Sequence, residues 1–142
     1  MKKHANTPIP AHVQDLLNEV HQVLLTLHKE LLDHQRMLYE RQHGAIHSTG
    51  EALQLIIKDP WFASLRPLTA LITDLDEIVA SKAPNYPADT NALLTQCKQL
   101  LKPAETGDLF QREFHRAIQE SPGVAAAHGQ WKSLLRRLDP KQ

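Results

Sequence analysis

Val13, Leu17, Val20, Leu24, Leu27, Leu31, His34 and Leu38 follow one another in alternating steps of four and three. That spacing keeps one seam of a helix against packed neighbours and predicts a long first helix over about 11–42. Leu25, Leu32 and Tyr39 widen the seam on one flank, and Leu16 and Val23 widen it on the other. The apolar face then covers about 200° of the circumference, against the ~100° stripe of a helix packed on one side. Either the chain wraps this helix on both sides or part of the face meets another molecule. Inside the widened sector runs a polar row at seven-residue spacing: Gln14, His21, His28 and Gln35. Such groups cost free energy to bury unless they find partners.

Helical spacing continues beyond Gly44, a residue suited to a left-handed helix cap. Ser48-Thr49-Gly50-Glu51 has the form of a capping box and opens a short helix bearing Leu53, Ile56 and Ile57. Asp59-Pro60 is a second start signal, followed by Trp61, Leu65, Leu68, Ile72, Leu75 and Val79. Pro67 inside that run predicts a kink or break over 62–66. Pro84 and Pro87 bracket a loop, and Asp89 or Thr90 then caps a helix carrying Leu93, Leu94, Cys97, Leu100 and Leu101. Asp108 caps a helix with Phe110, Phe114 and Ile118, and Ser121-Pro122 starts a last one with Val124, His128, Trp131, Leu135 and Leu138. Nothing alternates with period two over a useful length. The pattern therefore predicts an all-α bundle of about five or six helices, with an N-terminal arm over 1–10 and one domain over 11–139.

Composition narrows the picture. The chain has 142 residues, 42% apolar and 23% charged, which suits one folded domain. Its 16 basic and 16 acidic side chains cancel, so the electrostatic footprint of a nucleic-acid binder is missing. Cys97 is the sole cysteine, which excludes an internal disulfide and reads as a small buried hydrophobe. The N-terminal stretch lacks the apolar run of a signal peptide, and no segment approaches the ~20 apolar residues of a membrane span. A cytoplasmic location, with no membrane partner, is the expectation.

The run Asp59-Pro60-Trp61-Phe62-Ala63-Ser64-Leu65-Arg66-Pro67-Leu68, with Asp74-Leu75-Asp76-Glu77 after it, resembles the clearest mark of a bacterial family of similar-sized helical proteins. Leu27-His28-Lys29-Glu30-Leu31-Leu32 and Tyr39-Glu40-Arg41 fit the same pattern, so the resemblance covers roughly the first half of the chain. It implies a helical fold and brings no activity with it.

Nine histidines are the compositional outlier, and His21 and His28 carry the sharpest chemistry. Seven residues apart, they lie ~10.5 Å from each other along the axis, too far to share one metal with ~2 Å bonds. Each needs ligands from another helix, for which Asp74, Asp76, Cys97, His115 and His128 are candidates. If the first helix runs antiparallel to the helix after Trp61, His28 is level with Asp74 and a histidine–carboxylate hydrogen bond results. The pair is read as a structural polar layer, with a metal or haem site and a pH-sensitive interface as alternatives. Glu40 and His43 have Glu-x-x-His spacing, but a di-iron bundle needs a second copy, which is missing. His43 and His47 are separated by Gly44 and read as surface residues.

Arg66, beside Pro67, is a candidate for gripping an anion or a partner carboxylate, with an acidic group of Asp74, Asp76 and Glu77 one to three turns later. The alternative is an Arg–carboxylate salt bridge that locks the kinked segment against the first helix. No phosphate loop, nucleophile elbow or His-Glu-x-x-His run is present, so no catalytic residue and no cofactor are predicted. Two functional expectations remain. One is an interaction or self-association module, a homodimer included, using Leu25, Leu32 and Tyr39. The other is a ligand- or metal-binding bundle using His21 and His28, with the metal unspecified.

Overall fold

The seam of the first helix is covered by the chain itself. α1 (Ala11–His43) lies between α6 (Pro122–Leu138) on one side and α3 (Arg66–Ala80) on the other. α2 (Thr49–Lys58), a 3-10 segment (Pro60–Leu65), α4 (Pro87–Leu100) and α5 (Leu109–Glu120) complete the order. The computed structural model describes residues 11–80 and 87–138, with side chains for 14–80 and 90–138, and the described residues contain no strand. The expected arm over 1–10, the loop at Pro84 and the domain end at 139 lie outside them.

Helix boundaries follow local chemistry. Gly44 adopts φ +94°, a conformation that side chains with a Cβ disfavour, and its amide donates to the Glu40 carbonyl at 2.9 Å. Ser48 caps α2 by accepting from the Glu51 amide at 3.0 Å, while the Glu51 carboxylate accepts from the His47 amide at 2.8 Å. Asp59 ends α2 and accepts from the Trp61 amide at 2.8 Å, which starts the 3-10 segment. That segment gives way to α-helix at Arg66, where Pro67 has no amide to donate, so the expected break is a change of helix type. Asp108 and Gln111 form a reciprocal capping box on α5, and Ser121 caps α6. α4 begins at Pro87, earlier than an Asp89 or Thr90 cap implies, because proline is well placed in a helix's first turn.

One continuous core joins α1, the 3-10 segment, α3, α4, α5 and α6. Leu24, Leu27, Leu68, Leu75, Phe114 and Val124 are among its fully buried side chains. Cys97 is also buried there, and burial pushes its thiol up to about 12, leaving it protonated and inert. α3 runs antiparallel to α1, because His21 meets Asp76 while His28 meets Thr69. α6 is antiparallel as well: Arg137 near its end pairs with Glu19, and its first turn lies against Glu30, whose carboxylate a Cβ on Gly123 would overlap.

Candidate functional site

Each histidine of the row faces a single partner. His28 Nε2 lies 3.0 Å from Thr69 Oγ1, and the Thr69 hydroxyl donates to the Leu65 carbonyl at 3.1 Å. With its proton committed, Thr69 accepts, so His28 carries its hydrogen on Nε2. Burial lowers the His28 pKa below the usual histidine range. His21 Nε2 is 3.6 Å from Asp76 Oδ1, close enough for Coulomb attraction and too long for a hydrogen bond. Asp74 is exposed and does not meet His28. The antiparallel arrangement holds, but the register places Thr69 at the level expected for Asp74.

The other candidate ligands do not converge. Cys97 is in the core, His115 sits 3.7 Å from Glu105, and the His128 ring packs edge-on to Phe114 at 5.2 Å. Among the described residues no group of three or more His, Cys, Asp and Glu side chains is arranged to hold a metal ion. Glu40 closes the turn after α1 by accepting from the Ile46 amide at 2.8 Å. His43, exposed like His47, stacks on Tyr39 at 4.5 Å.

Arg66 does not pair with the α3 carboxylates. Its guanidinium donates to the Ile57 carbonyl at 2.9 Å, covering the orphan acceptor at the end of α2. The 59–68 block is therefore a structural joint: Asp59 caps, Arg66 fastens α2, and Phe62, Leu65 and Leu68 fill the interior.

The flank of α1 expected to meet a partner is mostly covered. Leu32 packs against the core, and Tyr39 is enclosed by Trp61 at 5.6 Å and Phe62 at 5.8 Å. Leu25 alone of the three is open, at 40% exposure. The larger apolar surface is on α2, where Leu53 is 54% and Ile57 56% exposed and only Ala52 is buried. Beside it a groove of about 390 Å³ is walled by Ile56, Ile57, Leu65 and Ala70, with His28 and Thr69 on its polar side.

A second polar layer lies at the C-terminal third of α1, and the sequence pattern pointed to only part of it. Glu113 Oε1 accepts from the buried Ser64 hydroxyl at 2.5 Å and from Gln35 Nε2 at 3.3 Å. The Gln35 carbonyl in turn accepts from Trp61 Nε1 at 3.2 Å. The adjacent residue on α1, the buried His34, reaches Glu120 Oε1, two turns along α5 from Glu113, at 3.1 Å. Gln35 belongs to the polar row, whereas Glu113 flanks the Phe110/Phe114 face of α5 among other charged residues, and its spacing of three from Phe110 is the one sequence signal that places it there.

This layer opens into a cleft of about 430 Å³ between α1, the 3-10 segment and α5. Trp61, Leu38 and Leu109 supply apolar wall, and Arg41 and Arg116 come from opposite sides. A further cleft of about 530 Å³ between α4 and α6 is lined by Lys98, Lys102, Lys132 and His128 over Trp131. Burial and Lys132 lower the His128 pKa.

No family model, curated protein or solved structure matches this chain.

Proposed function

We propose that this chain is a cytoplasmic helical-bundle protein that works by association with protein, and that it self-associates through α2. The observation that carries this reading is the exposure of Leu53 and Ile57 on a helix that contributes nothing to the continuous core. Apolar side chains exposed together, rather than scattered singly, are where a folded domain gains by association. Leu53 and Ile57 are four residues apart and form a short ridge along α2. A two-fold axis across such a ridge makes it self-complementary, and the antiparallel pairing opposes the helix dipoles. The alternative, a metal or ligand on the helix-one histidines, has weaker geometric support, since Thr69 occupies His28 Nε2 and the other candidate ligands lie apart.

Sedimentation equilibrium across a wide concentration range tests the proposal. The expected result is a reversible dimer that Leu53→Glu with Ile57→Glu converts to monomer, with circular dichroism unchanged. A wild-type monomer at every concentration, or a dimer that survives the double substitution, overturns it.

A further inference from the structure

We propose that the cleft between α1 and α5 binds a small planar organic anion whose ring carries an N–H group. The argument begins with Trp61. Phe62, Leu65 and Leu68 from the same block are buried, whereas Trp61 stays half-buried on the cleft wall. Its ring is held in place: Nε1 is tied to the Gln35 carbonyl, and the His43 ring meets it edge-on at 5.6 Å. A fixed indole face beside Leu38 and Leu109 suits a flat ring.

The polar groups specify the rest of the ligand. Glu113 is anchored through Oε1 alone, by the buried Ser64 and Gln35, and its Oε2 has no partner among the described residues. No buried side-chain nitrogen or oxygen among the described residues lacks a hydrogen-bond partner, so Oε2 keeps contact with solvent, and Glu113 lines the cleft. It calls for an N–H donor. Arg41 and Arg116 line the cleft from α1 and α5, and neither is engaged in a hydrogen bond or ion pair among the described residues. Two guanidinium forks beside a cleft that holds one carboxylate leave a net positive charge, which suits a carboxylate or phosphate on the ligand. The volume of about 430 Å³ is in the range of small-molecule sites. The cleft lies apart from the exposed α2 residues, so the site stands independently of the self-association reading.

The test follows the Trp61 indole N–H signal in ¹H–¹⁵N spectra, assigned with Trp61→Phe. The probes are indole-3-acetate (carboxylate with ring N–H), guanosine monophosphate (phosphate with ring N–H), 1-naphthylacetate (no donor) and inorganic phosphate (no ring). The expected result is a saturable shift with indole-3-acetate, the nucleotide or both, which identifies the anion source. That shift weakens about tenfold in Arg116→Ala and in Arg41→Ala, both exposed positions whose variants keep the remaining spectrum. Glu113→Gln weakens the N–H probes, whereas 1-naphthylacetate, which has no donor and gains from the lost negative charge, binds at least as well. Absence of saturation up to about 10 mM for both N–H probes overturns the proposal, whatever 1-naphthylacetate does. So does an equal shift with phosphate alone, or binding that neither arginine substitution weakens.

Discussion

α1 and α2 carry the same kind of signal in sequence, apolar residues at helical spacing, and the fold treats them in opposite ways. In α1, Leu17, Val20, Leu24, Leu27 and Leu31 are all buried because α3 and α6 pack on both sides. In α2 only Ala52 is buried, while Leu53 and Ile57 stay more than half exposed. α2 reaches the bundle mainly through the 3-10 segment and the Arg66–Ile57 hydrogen bond. A helix of this length is marginal alone, so caps at Ser48 and Asp59 and the Arg66 contact hold it where apolar packing does not. Periodicity reports that a helix has an apolar face. Whether a neighbour covers that face depends on connections elsewhere in the chain.

The sharpest way to break this comparison is to remove one leucine from each helix. Leu24→Ala opens a cavity in the core and is expected to cost about 2–5 kcal/mol in chemical denaturation. Leu53→Ala, measured on dilute monomer, should change stability by no more than about 0.5 kcal/mol. Similar losses at both sites would mean that α2 is as deeply packed as α1.

A smaller effect is expected where the 3-10 segment docks on α1 and α5. Ser64→Ala removes the buried hydroxyl that donates to Glu113 and should cost about 1.5 kcal/mol. Gln35 still donates to Glu113, so the loss is partial, and an unchanged denaturation midpoint would count against the polar layer as a stabilising contact.

The smallest effect concerns pH. Burial lowers the pKa of His28, and burial together with Lys132 lowers that of His128, so the folded state prefers both rings neutral. In the unfolded chain they titrate near about 6.5. Below that value the unfolded state binds more protons than the folded state, and the stability present at higher pH is lost as pH falls. The groove beside His28 is lined by Arg66 and no carboxylate, and the cleft beside His128 by Lys98, Lys102 and Lys132, so no acidic group there offsets the effect. His28→Gln should flatten the fall in melting temperature between about pH 7.5 and pH 5.5. An equally steep fall in the variant would remove His28 from the account.

Much of the candidate chemistry was legible only as position. The row Gln14, His21, His28, Gln35 marked one sector of α1, and its members end up with different roles. Gln14 is exposed, His21 faces Asp76, His28 donates to Thr69, and Gln35 joins Glu113. The partners come from α3 and α5, and nothing within α1 could select them. Arg66 shows the same dependence on tertiary placement. Its expected carboxylate partner is replaced by the Ile57 carbonyl, because the change from 3-10 to α-helix at Arg66 leaves it beside the end of α2.

Helix identities, most of their caps and the apolar stripe of α1 were determined by sequence alone, because they depend on residues within about four positions of one another: Gly44 at positive φ, the Asp59 and Asp108 caps, and the spacing from Leu17 to Leu31. The tertiary structure decided register, partner and exposure. A shift of five residues along α3 exchanges Asp74 for Thr69 opposite His28, and the path of the 59–68 joint leaves Leu53 and Ile57 uncovered while it builds the Trp61 cleft. Those outcomes depend on how whole helices fit against one another, which no stretch of a single helix specifies.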